Sequence, residues 1–223
     1  DSYGNDLMLF KPNEFALDVD YSRLLADKLT GCISLRYITS NLTGGQSVQG
    51  SQTKAGRAIA VDVSAYYENE DLKVADKDAE FAFGLNISNI GNKMSYSNAA
   101  KRDFIPINLR LGPRLSMDLD DYNRITLTAD FNKLLVPTTP IYAKDTAGLP
   151  AFDSNGNPVI LSGKDPDRAV ASGMFGSFND APGVPVKDEN GDPVQNDDGS
   201  YQVVKGSVFK EELREINYAL GLE

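Results

Sequence analysis

Few side chains in this sequence could do chemistry, and their types narrow it at once. Histidine is absent and Cys32 is the only cysteine, which removes His-based triads, Cys/His zinc sites and disulfide frameworks. Cys32 stands beside Ser34 with no histidine to activate it, so it reads as a small filler and not as a nucleophile. Carboxylates remain. Asp18 and Asp20 lie two residues apart, Asp62 recurs in similar surroundings, and the clusters "DSNGNPV" (Asp153 to Val159), "DENGDPV" (Asp188 to Val194) and "NDDGS" carry more. The clusters lack EF-hand spacing and a closing glutamate. Their Asx-Gly pairs supply the positive φ of hairpin turns, so turn tips are their expected role, with calcium binding as the alternative. No catalytic residue, metal ligand or cofactor site is expected.

The elements that hold these groups follow from strict alternation. In "NEFALDVDYSRLL", Phe15, Leu17, Val19 and Tyr21 share one parity, and Ala16, Asp18, Asp20 and Ser22 the other. That is a strand with one apolar and one polar face. The same pattern recurs at Ile33–Tyr37, Ile59–Ala65, Phe81–Ile87, Ile105–Leu119, Ile125–Phe131 and Ile216–Leu222, predicting about seven strands. Connectors "ADKLT" and "DDYN" are tight, whereas "SNLTGGQSVQGSQTKAG", "NIGNKMSYSNAAKRD" and residues 137–210 are long and fall at the opposite end; "YENEDLKVADKDA" is longer than this scheme favours. Short turns at one end and long loops at the other are how outer-membrane barrels are built, with the apolar row on lipid and the polar row lining a lumen. A soluble sandwich also alternates. A hairpin centred near Lys28 would set Asp20 opposite Arg36, and one centred near Asp121 would bring Arg114 close to Asp130, as structural ion pairs of the lumen.

The net charge of −10 offers no basic patch for nucleic acid. Mean hydropathy is −0.33, and nowhere does the chain provide the roughly 18 consecutive apolar residues of a membrane helix. The opening "DSYGND" is polar where a secretory signal would stand. The sequence therefore reads as part of a barrel, with Asp1 to Asp6 as the tip of a hairpin whose first strand precedes it.

Within the long connector, Asp165 is a candidate N-cap with Pro166 at the first helical position, and Val170, Met174 and Phe178 recur every four residues beside Phe175. A short amphipathic helix is expected, either a lid on the rim or an apolar contact for another protein. "KEELRE", Lys210 to Glu215, leads into the last strand and reads as its solvated entry. "DTA" at Asp145 to Ala147 resembles a bacterial O-glycosylation sequon centred on Thr146.

The segments "FKPNEFALDVDYSRLL", "LRYITSNL", "FAFGLNISNIGNKMSYS", "FIPINLRLGPRL", "ITLTADFNKLLVPTTP", "GMFGSFNDAPG" and "FKEELREINYALGLE" together resemble the PorV family, outer-membrane proteins of the type IX secretion system. The resemblance implies an all-β transmembrane antiparallel barrel like that of long-chain fatty-acid transporters, with fourteen strands in the family. It also implies a non-enzymatic carrier. Such a protein takes secreted cargo by its C-terminal domain at the translocon and delivers it to the sortase or attachment complex at the surface, in contact with outer-membrane lipid. The partner-binding candidates are Val170, Met174, Phe175 and Phe178. A transporter of hydrophobic small molecules and a lipid A deacylase are the alternatives. The expected organisation is one barrel domain over residues 1–223, with residues 137–210 extracellular.

Overall fold

The computed structural model describes residues 11–42, 44, 47–48, 51–97, 102–145 and 147–223. The expected hairpin tip at Asp1 to Asp6 and the sequon's Thr146 lie outside the described residues. The strands are β1 (Asn13–Ala26), β2 (Leu29–Asn41), β3 (Ser47–Val48), β4 (Ser51–Gln52), β5 (Gly56–Val74), β6 (Lys77–Gly91), β7 (Asn108–Asp118), β8 (Arg124–Leu134), β9 (Ile141–Tyr142), β10 (Ile160–Ser162) and β11 (Asn217–Leu222). Two helices, α1 (Val170–Gly176) and α2 (Ser207–Arg214), lie between β10 and β11. Seven strands form one antiparallel sheet in the order β1-β2-β5-β6-β7-β8-β11. The alternation had located all seven. β3 pairs with β4, and β9 with β10, in separate two-stranded sheets.

Successive register pairs keep the two residue classes apart. Leu17 faces Tyr37, Tyr37 faces Ile59, Val63 faces Ile87, Ile87 faces Leu109, and Phe131 faces Tyr218. Paired residues share a side of the sheet, so these define one apolar face. That face is the open one: Val19 is 66% and Ile59 58% exposed. Asp62, on the opposite face, is only 7% exposed. A water-soluble sheet buries its apolar side; along β2 and β5 it is the polar side that is covered. Among the described residues no helix is long and apolar enough to cross a membrane.

The hairpin at "YENEDLKVADKDA" departs from expectation. β5 and β6 run on to Val74 and Lys77, joined only by Ala75 and Asp76, whose φ values are 50° and 63°. Two consecutive positive φ values make the primed turn that matches strand twist. The polar run reads as a loop because a bulge between Asn69 and Leu72 breaks the alternation. All three connections at this end, after β1, β5 and β7, are therefore short. Those after β2, β6 and β8 are long.

On the polar face, beside the long-loop end, Ala58, Ala60, Met94 and Ile105 form a small buried cluster with Ile38 and Tyr96 packed on it. Alanine at 58 and 60 leaves the space that Met94 and Ile105 fill. The connector from β8 to β11 contains two copies of one small unit. In the first, the amide of Ala143 donates to Val159, that of Val159 to Ala151 and that of Ala151 to Ala143, closing a three-way ring. In the second, Val186, Gln202 and Val194 close the same ring. Asp145 and Asp153 head the turns of the first unit, Asp188 and Asn196 those of the second, and the glycine of each turn has a φ between 78° and 89°. The sequence match of "DSNGNPV" to "DENGDPV" thus aligned the second turn of one unit with the first turn of the other.

Candidate functional site

Of the expected ion pairs, the structure forms neither as drawn. Asp18 stands opposite Arg36, and Asp20 opposite Ser34, because the β1–β2 hairpin is centred one residue earlier than expected. Arg36 Nε donates to Asp18 Oδ1 at 2.6 Å, and its Nη2 lies 3.2 Å from Asp62 Oδ2. Its Nη1 donates to Asn89 Oδ1 at 2.7 Å. Asn89 is the pivot of a bulge in β6: its φ is 62°, and its backbone N–H donates to Asp62 Oδ1 at 2.7 Å. The Arg36–Asp62–Asn89 cluster thus spans β2, β5 and β6 on the polar face. Arg114 likewise misses Asp130, since it pairs in register with Thr128. It bridges Glu68 and Glu80 instead, and Glu80 also accepts from Arg124 at 2.8 Å.

These carboxylates hold strands together. Among the described residues two serines donate to a carboxylate at 2.6 Å: Ser200 to Asp198 within one exposed turn, and Ser40 to Glu14, the Ser40 hydroxyl also accepting from Tyr96 at 2.9 Å. Ser40 is fully buried, and a carboxylate is a far weaker base than the imidazole that usually activates serine. Cys32 lies between Ser22 and Ser64 in the sheet. Among the described residues no group of three or more carboxylates or cysteines is placed to hold a metal ion. Asp153 and Asp188 accept from the amides of their own turns, Asn155 and Asn157 in one, Asn190 and Asp192 in the other. Those backbone bonds, from Asn157 and Asp192 first, hold both carboxyls below the usual carboxylate range.

The connector between β8 and β11 builds a platform at the long-loop end. α1 forms, but it starts at Val170 with Ala169 as its N-cap, not at Asp165. Asp165 Oδ1 accepts from the amide of Asp167 at 2.8 Å, and Arg168 N–H donates to Pro166 O, so the aspartate closes a turn and does not open the helix. α1 docks through Gly173: a Cβ there would come within 2.5 Å of the Phe104 ring and 3.1 Å of Pro137. Phe175 is left 71% exposed. Phe178 lies past the helix end and turns toward α2, with Lys133 6.0 Å from its ring. The four candidates therefore do not form a single stripe. Asp180 anchors the same platform, its carboxylate accepting from Arg168 at 3.1 Å; burial raises its carboxyl above the usual value despite the Thr138 amide and that guanidinium.

"KEELRE" is helical from Lys210 to Arg214 as the end of α2, with Glu215 as the C-cap, and Lys133 is what it packs around. This residue continues the apolar row of β8, is only 5% exposed, and lies 3.0 Å from Glu212 and 2.7 Å from Glu215. Glu215 also accepts from Thr138 at 2.7 Å, and Glu212 from the amide of Ala181 at 2.8 Å. A buried ammonium needs such partners, and one turn of helix brings both carboxylates to it. The signal was present: a lysine breaking an apolar row, and two glutamates three residues apart. Between α2 and the apolar face lies a cleft of about 340 Å³, floored by Leu109, Leu111 and Phe131 and roofed by Phe209 and Leu213.

Residues 1–141 match the family model described as type IX secretion system protein PorV. No curated protein matches the chain.

Proposed function

Since the chain belongs to the PorV family and is thereby a component of the type IX secretion system, we propose that it is a non-enzymatic carrier in the outer membrane. In this reading it binds the C-terminal domain of secreted cargo at the translocon and passes it to the surface attachment complex. The seven strands form part of one barrel, their apolar face meets lipid, and the connector over residues 137–210 lies outside the cell.

The observation that carries this reading is the platform. Leaving an aromatic side chain in water costs about 25 cal/mol for each Å² of its apolar surface, yet Phe175 is held out on a helix whose other side is fastened to Phe104 and Pro137. A rigid mount with an open aromatic is how a small contact hot spot is presented. Val170 and Met174 flank it, each half-buried.

The test replaces Met174, Phe175 and Phe178 together with serine in the full-length protein. Cargo should accumulate in the periplasm while the barrel still inserts. Normal secretion by this variant would place the cargo contact elsewhere. Because Phe178 also packs toward α2, Phe175→Ser alone is the sharper arm and should reproduce much of the defect.

A further inference from the structure

The cleft under α2 opens on the apolar face of the sheet, and its floor continues the row that runs down β7 and β8 through Leu115 and Leu127. Its roof is the apolar side of an amphipathic helix. Phe209 and Leu213, four residues apart, are both exposed on it. Next to them, also four apart and exposed, are the two cations of α2, Lys210 and Arg214. Glu212 lines the cleft beside Lys133, and both it and Glu215 are bound to that lysine. An apolar stripe with a basic stripe beside it is the pattern of a helix lying at a membrane surface, with hydrocarbon below and anionic headgroups alongside.

We propose that this cleft holds an acyl chain of a phosphate-bearing anionic lipid of the outer membrane, with its phosphate against Lys210 and Arg214. The proposal rests on the reading that the apolar face meets the bilayer. Arg214 is paired with Glu211 on the same helix, and its own side chain is 61% exposed, so a lipid phosphate can take the carboxylate's place at little cost. Lys133 closes the inner end of the cleft, and its two glutamates leave no unneutralised cation there. The charge that selects the headgroup is therefore at the mouth of the cleft, where water and lipid phosphates meet.

The full-length protein is purified in micelles containing dioleoyl phosphatidylglycerol and dioleoyl phosphatidylcholine in equal amounts, and the lipid that stays bound is counted by native mass spectrometry. One phosphatidylglycerol should be retained in preference to phosphatidylcholine. Lys210→Glu combined with Arg214→Glu should weaken retention about tenfold or more, and Phe209→Ser combined with Leu213→Ser should abolish it. Leu111→Trp, which fills the floor without touching the helix, should also displace the lipid and guards against unfolding of α2; heat-modifiable migration in gels reports whether each barrel is intact. Equal retention of both lipids, or retention unchanged in the charge-reversed variant, overturns the proposal. So does a Phe209/Leu213 variant that keeps its lipid but stops exporting cargo, because the cleft is then a protein contact. A protein that binds no lipid yet exports cargo normally refutes this site and leaves the carrier reading standing; one that fails to enter the membrane refutes that reading as well.

Discussion

Arg36 sits between a carboxylate that water reaches and one that it does not. Asp18 keeps about a third of its side chain exposed, Asp62 a tenth. Removing the guanidinium therefore leaves Asp62 buried without a cation, while removing Asp18 leaves Arg36 with Asp62 and Asn89. Arg36→Ala should cost about 2 kcal/mol, below the ~3 to 5 kcal/mol of a fully buried pair because a quarter of the Arg36 side chain is exposed, and Asp18→Asn under about 1 kcal/mol. Denaturant titration of the full-length protein in micelles measures both. Equal costs would mean that water reaches Asp62 freely. The turn aspartates respond to pH instead. Asp153 and Asp188 have folded values below the usual 3.8, so their contribution is present above the unfolded value and lost as pH falls through the folded one. Amide exchange at Asn155, Asn157, Asn190 and Asp192 should be slow at neutral pH and accelerate, relative to other hairpin amides, below pH ~3.8.

At the scale of elements, each strand is sorted by what its two faces meet. An arginine at Leu17 or Val61 would put charge on the apolar face and should cost about 2 to 4 kcal/mol near the bilayer midplane; at Ser22 or Ser64, on the polar face, the cost should be smaller. Refolding yields of the four variants in lipid vesicles decide the matter, and equal yields would mean that the apolar face does not meet lipid. α2 depends on a tertiary partner more than on its own propensity, since eight residues are too few to be stable alone. Lys133→Met should leave Glu212 buried and unpaired, and α2 should detach. Hydrogen exchange would register this as lost protection across Ser207–Arg214 with β8 unaffected.

For the whole molecule, the distribution of connections is the strongest constraint. Three short turns lie at one end of the sheet, and at the other a platform whose two ring units are closed by their own backbone hydrogen bonds. Protease added to intact cells should cut within residues 137–210, at the exposed turns around Asn155–Gly156 and Asn190–Gly191. If intact cells protect this segment while purified protein is cut there, the orientation is reversed.

The sequence by itself determined the seven strands, their two faces, the turn tips and the helix near Phe175, because each rests on local periodicity or on a residue's own backbone preference. The internal repeat was also legible, though its phasing was not, since the correspondence lies in ring closure between distant amides. Only the tertiary structure decided who pairs with whom. A shift of one residue in the centre of the β1–β2 hairpin gives Arg36 to Asp18 in place of Asp20. Arg114 was claimed by two glutamates from β5 and β6, strands away from the partner its own hairpin suggested. What reads as a strand entry is a helix packed around a buried lysine. Alternation tells each side chain which solvent it meets, but ion pairs across a sheet depend on the sum of registers along it, and that sum is not local.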